Sequence, residues 1–89
     1  MRAVVTVIGK DMVGILAKVS AACAQANANV IEVTQSVLQD MFAMIMLVDI
    51  QNLNLPFDQF AAAVDRIGEE MNLSTHVMHE DIFNSMHHI

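Results

Sequence analysis

The chain has 89 residues, 55% of them hydrophobic and 16% charged, with a net charge of −6. That is room for one modest core, with roughly 64% of the unfolded surface buried on folding, and the composition excludes disorder, which needs low hydrophobicity and high charge. The acidic balance argues against nucleic-acid binding, which needs a basic footprint, and against anionic membrane surfaces.

Residues 3–8 read AVVTVI, and β-branched residues followed by Gly9 predict a strand. Gly9-Lys10-Asp11 is turn-like. From Met12 to Asn27, Ile15, Leu16, Val19, Cys23 and Ala26 trace one face of a helix. Asn27-Ala28-Asn29 ends it, since Asn tolerates the left-handed conformation of a helix C-terminus. In Val30–Leu38, Ile31, Val33 and Val37 alternate with Glu32, Thr34 and Ser36, the pattern of a half-exposed strand. Gln39-Asp40 is a tight turn. Phe42–Ile50 is apolar on both sides, as a central strand covered on both faces would be.

Asn52, Asn54 and Pro56 mark a loop and the start of a second helix, whose stripe runs Phe57, Phe60, Ala61, Val64, Ile67, Gly68, Met71. Asn72 ends it. Leu73, Thr75 and Val77 alternate with Ser74 and His76 in a fourth strand. Ile82, Phe83, Met86 and Ile89 form a short apolar stripe on a C-terminal turn or two of helix.

The predicted architecture is one α+β domain over residues 1–89, with a core at 1–80 and a tail at 81–89. It is a ferredoxin-like βαββαβ sandwich: a four-stranded antiparallel sheet, two helices on one face, and the tail. That topology puts the first and third strands in the middle, and these are the two that read as apolar on both faces. The face away from the helices then carries either Val4 and Ile8 or Val5 and Val7, and something should cover it. The tail and a second subunit are the candidates, with a homodimer preferred. The second strand should be a sheet edge, and it has no Lys, Arg or Pro to block pairing. Val30, Val33, Ile82, Phe83, Met86 and Ile89 are therefore the candidate dimer interface.

No targeting or membrane segment is expected: the longest apolar run, Met41–Val48, is eight residues. With a single Cys, no disulfide framework or Cys-pair zinc site is available. A cytoplasmic protein is expected. No Ser or Cys nucleophile has a nearby base, so no enzymatic activity and no cofactor are expected. Cys23 reads as core, Met41, Met44 and Met46 as alternation on a buried strand, and His76 and His79 as pointing to opposite faces. No metal site follows from these.

The most informative stretch is Gly9-Lys10-Asp11-Met12-Val13-Gly14-Ile15-Leu16, where a strand gives way to a helix. Backbone N–H groups of a first helical turn carry partial positive charge and can hold an anion. Asp11 is also a good helix cap in its own right, Gly14 can serve helix–sheet packing, and Asn29 can be a plain turn residue. Gly9-Lys10-Asp11-x-x-Gly14-Ile15-Leu16, followed by Asn29-Val30, resembles the ACT domain, the small-molecule-binding module of amino-acid metabolism. The resemblance covers the chain in order and length, and is greatest to stand-alone single-domain bacterial members. One departure is Met12-Val13, where many ACT domains have Arg-Pro. The resemblance implies a ligand site between this loop and a neighbouring subunit. Asp11 would hold the ammonium of an amino acid or related metabolite, the N–H groups of Val13, Gly14 and Ile15 its carboxylate, and Asn29 a second polar contact; Met12 lies within the same loop. The expected function is that of a homodimeric regulatory or sensing module whose output passes through an effector protein. The alternative is a ligand-free adaptor that docks a partner through its apolar tail.

Overall fold

The computed structural model describes residues 1–10 and 13–86, without the side chain of Leu38. The elements are β1 (Arg2–Gly9), α1 (Ile15–Gln25), β2 (Asn29–Leu38), β3 (Met41–Asp49), α2 (Phe57–Met71), β4 (Ser74–His79) and α3 (Glu80–Met86). The strands form one antiparallel sheet in the order β2-β3-β1-β4. This is the ferredoxin-like sandwich, with β1 and β3 central as their two-sided apolar character requires.

Alternation on the central strands divides the sheet. Ala3, Val5 and Val7 of β1 and Met44, Met46 and Val48 of β3 form the core with Ile15, Val19 and Cys23 of α1 and Phe60 and Val64 of α2. The opposite face carries Val4, Thr6 and Ile8 beside Ile45 and Leu47. Of the two sets open to β1, Val4 and Ile8 thus take the face away from α1 and α2. The tail helix lies on that face, with Phe83 bordering the same cavities as Thr6, Ile8, Ile45 and Val4.

Both long helices end the same way. Asn27 and Asn72 have φ of 61° and 58°. The N–H groups of Asn27 and Ala28 donate to the carbonyls of Ala24 and Cys23, and those of Asn72 and Leu73 to Glu69 and Gly68. Each pair of bonds closes the last helical turn around a left-handed residue. The β3–α2 loop also caps α1: Asn54 donates its backbone N–H to Ala26 O at 3.1 Å and its amide Nδ2 to Gln25 O at 2.8 Å.

The helix expected from Met12 starts later, at Ile15. Its N-cap position is Gly14, at φ 79°, so the cap falls three residues beyond Asp11. A backbone in that region disfavours any side chain. Space is not the reason for glycine here, because a Cβ on Gly14 would meet nothing within 4 Å. Helix–sheet packing is instead served by Gly68, whose Cβ would crowd Thr75. Strand β2 also departs from simple alternation. Its register shifts between Val30 and Glu32, so Ile31 is the extra residue of a bulge and has no partner on β3. Val30 and Val33 pair with the buried Val48 and Met46, whereas Ile31 does not share their pattern.

Candidate ligand site at the start of the first helix

Strand β1 delivers Gly9 and Lys10 to one end of the sheet, and Gly14 turns the chain into α1. Asp11 and Met12, both expected in the site, lie outside the described residues, as does Ile89 of the expected interface. Val13 is 83% exposed. Ile15 is 1% exposed and packed in the core, so it can offer a ligand only its backbone. The first helical bond runs from Lys18 N–H to Gly14 O at 3.1 Å. The preceding N–H groups, Ile15 to Ala17, therefore have no acceptor within the helix. Among the described residues no acidic side chain lies in the first turn of α1, where it would offset the positive end of the helix dipole.

A cleft of about 390 Å³ opens at the same end of the sheet, lined by Ile8, Gly9, Lys10, Met41, Met71, Asn72 and Ser74. Lys10, Asn72 and Ser74 supply a cation, an amide and a hydroxyl. Lys10 Nζ is 3.8 Å from Asp40 Oδ2, and both side chains are about three-quarters exposed, so the pair is weak and easily exchanged for a ligand anion. The loop motif pointed to this end of the molecule. Asn72 and Ser74 were missed because they come from the far end of the sequence, and only the β1–β4 pairing brings them beside Ile8.

Asn29 is elsewhere. It pairs with Asp49, which also pairs with Arg2. That is the opposite end of β1 from Gly9, about 24 Å away along the strand. Helix α1 and the turn after it carry the chain back along the sheet before β2 starts, so within one chain Asn29 stays at the opposite end of the sheet from Gly14.

The other expectations concern core and surface. Cys23 is buried and its thiol lies 4.0 Å from Met46 Sδ. Burial pushes its pKa up, which holds it as the unreactive thiol. Met44 and Met46 are fully buried, whereas Met41 is 39% exposed. His79 stacks on Phe57 at 4.2 Å between ring centroids, on the helix side of the sheet, while His76 pairs with Thr6 on the opposite face. Among the described residues no three His, Cys, Asp or Glu side chains are grouped to hold a metal, and no helix is long and apolar enough to cross a membrane. Ile82 and Met86 are 52% and 66% exposed on α3. Val33 stands at the margin of exposure on β2, at 36%.

A βαββαβ sandwich with a glycine turn at the head of its first helix is a fold shared by domains of several functions, and the comparisons narrow the class. The sequence model of the ACT domain matches residues 2–78. A UPF0237 protein of Methanocaldococcus jannaschii is 44% identical over 99% of this chain and 98% of its own length. One from Lactococcus lactis is 46% identical over 98% of each. The ACT domain protein from Streptococcus pneumoniae superposes with a TM-score of 0.80 at 30% identity, covering 93% of both chains. The chain belongs to the ACT domain family, whose members are regulatory small-molecule-binding modules. Its relatives include archaeal as well as bacterial proteins, a wider range than the bacterial group expected from the sequence.

Proposed function

We propose that the protein is a cytoplasmic sensing module without catalytic activity, which binds a small amino acid or related metabolite as a homodimer and signals through an effector protein. The observation that carries this reading is the separation of Asn29 from the Gly14 loop across an unprotected edge strand. Residues 31–37 of β2 are exposed, with no Lys, Arg or Pro among them. Two such edges joined antiparallel would direct the Asn29 end of each copy toward the Gly9 end of the other. One copy would then supply Asp11, the helix N–H groups and Lys10, and its partner Asn29, so the site would be complete only in the dimer. Val30 and Val33 would flank the shared edge.

The test is a thermal-shift screen of the twenty amino acids, paired with sedimentation. Saturation at about 100-fold over the dissociation constant should stabilise the fold by about 2.7 kcal/mol. Asp11→Asn should weaken the ligand found by about 1.5–3 kcal/mol, the scale of a charged hydrogen bond, with little effect on the unliganded melting temperature. Unchanged affinity in calorimetry would remove Asp11 from the site. A monomer that binds as tightly as the dimer would remove Asn29.

A second reading has its own observation. Ile82 and Met86 stand one helical turn apart on α3 and are both largely exposed, as a docking stripe for a partner protein would be. A chain that answers no ligand in the screen but loses its partner on Ile82→Ser would favour the adaptor.

A further inference from the structure

The sheet face under α3 is ordered in rows. Cross-strand pairing places Leu47, Val4 and Met78 in one row, Ile45, Thr6 and His76 in the next, and Ala43, Ile8 and Ser74 in the third. Helix α3 crosses these rows without sealing them. Phe83 has a cavity on each side, one of about 330 Å³ over Thr6, Ile8, Ile45, His76 and Met78, the other of about 180 Å³ over Val4 and Leu47, with Glu32 and Glu80 in its wall. The larger one is walled almost wholly by apolar side chains, and its volume is at the lower end of the small-molecule range.

Thr6 breaks that apolar character from the middle of a central strand. It stands directly opposite His76, so the two side chains start within about 5 Å of each other. Among the described residues, neither the Thr6 hydroxyl nor the His76 imidazole has a hydrogen-bond partner. The hydroxyl is not a sealed orphan either, since among the described residues no buried side-chain polar atom lacks a partner. The cavity thus offers two adjacent donors, the half-buried Thr6 hydroxyl beneath the apolar trough and the exposed His76 imidazole on the edge strand at its side. Among the described residues no carboxylate lines it.

We propose that this trough is a second small-molecule site, separate from the loop, for monocarboxylates with an apolar body. The carboxylate would accept hydrogen bonds from Thr6 Oγ1 and the His76 imidazole, and the body would lie along Ile8, Ile45, Met78 and Phe83. At about 30 Å³ for a water-sized group, the space takes roughly eleven non-hydrogen atoms, the size of an eight-carbon fatty acid. Among the described residues a cationic head finds no counter-charge in this lining, the nearest carboxylates, Glu32 and Glu80, being in the smaller cavity beyond Phe83, and a neutral hydrocarbon leaves both donors unused.

Octanoate, octylammonium and acetate distinguish head from tail in a methyl NMR titration of the full chain. Octanoate is expected to shift the methyl signals of Ile8, Ile45 and Met78 and to bind at least about tenfold more tightly than octylammonium, with acetate weaker than either. Thr6→Val and His76→Leu keep strand-forming shape and remove one donor each, so each should abolish most of that preference while leaving the melting temperature near wild type. Equal affinity for the two eight-carbon probes would overturn the proposal, as would shifts confined to Val13–Leu16. A response to silver(I) but not to octanoate would assign the groove to the His76 and Met78 side chains as soft-metal ligands instead. A dimer whose interface protects these methyl groups and excludes octanoate would assign it to a second copy.

Discussion

The two faces of the sheet are made by the same two central strands and differ in almost everything else. On the helix side, Val5, Val7, Met44, Met46 and Val48 are fully buried. On the other side, Val4 is buried too, but Ile8 and Ile45 of the same strands are each 41% exposed. Hydrophobic side chains are equally available to both. The difference lies in the cover: α1 and α2 have 11 and 15 residues, whereas α3 has seven, none of them buried. A seven-residue helix is too short to hold itself in water, so it stays only through what it touches. An apolar face therefore does not become a core by being apolar; it needs an element long enough to close over it.

The sharpest way to break this comparison is to remove one large aromatic from each side. Phe60 is fully buried between α2 and the sheet, and Phe60→Ala should cost about 3–5 kcal/mol in urea unfolding. Phe83 is only half-buried over open cavities, so Phe83→Ala should cost less than about 1.5 kcal/mol. Equal losses would show that α3 completes a second core.

Adjacent residues on β3 make the same contrast without changing element. Met46 is fully buried and Ile45 is 41% exposed. Met46→Ala should destabilise by about 2–5 kcal/mol, and Ile45→Ala by about 1 kcal/mol or less. If Ile45→Ala also shifts the monomer–dimer balance in sedimentation, a second subunit covers the open face.

Much of this was legible before any coordinates. The two-sided apolar character of β1 and β3 put them in the middle of the sheet, and the stripe from Phe57 to Met71 gave α2 its observed bounds. Asn27 and Asn72 marked both helix ends. What could not be read has physical causes. Val4, Val5, Val7 and Ile8 are all β-branched and apolar, so nothing local says which alternate set meets the helices. Ile31 fits the alternating pattern, and only pairing with β3 exposes the bulge. Asp11 is chemically a better cap than Gly14, but Gly14 alone tolerates the turn the chain makes there. The distance between Asn29 and the loop was implicit in the topology: a whole helix returns the chain along the sheet between them.

The Gly14 loop tests whether the exposed end of the fold is held by contacts or by conformation. Gly14→Ala adds a methyl group that meets no neighbour, at a φ of 79°. It should cost about 1–2 kcal/mol from backbone strain alone, and Gly14→Asn should recover part of that loss, since Asn visits this region more readily. Identical unfolding curves for wild type and Gly14→Ala would mean that the loop relaxes to another conformation.

The smallest effect concerns what anchors α3. Arg2, at the start of β1, grips Glu80, the first residue of α3, with two bonds: Nε to Oε1 at 3.0 Å and the guanidinium NH2 to Oε2 at 2.7 Å. The Arg2 side chain is 47% exposed, so water and salt compete for the pair and its net contribution stays below about 1 kcal/mol. That is small against the fold but large against a seven-residue helix with no buried residue. Arg2→Ala should leave global unfolding nearly unchanged. Amide exchange in Ile82–Met86 should rise several-fold while that of Val5 and Val7 stays fixed, because local opening of α3 does not require the sheet to open. Added salt should reproduce the effect in wild type and add nothing in the variant. If exchange in α3 instead follows that of the central strands in both proteins, the tail and the sheet unfold as one unit, and the contrast between the two faces is one of packing alone.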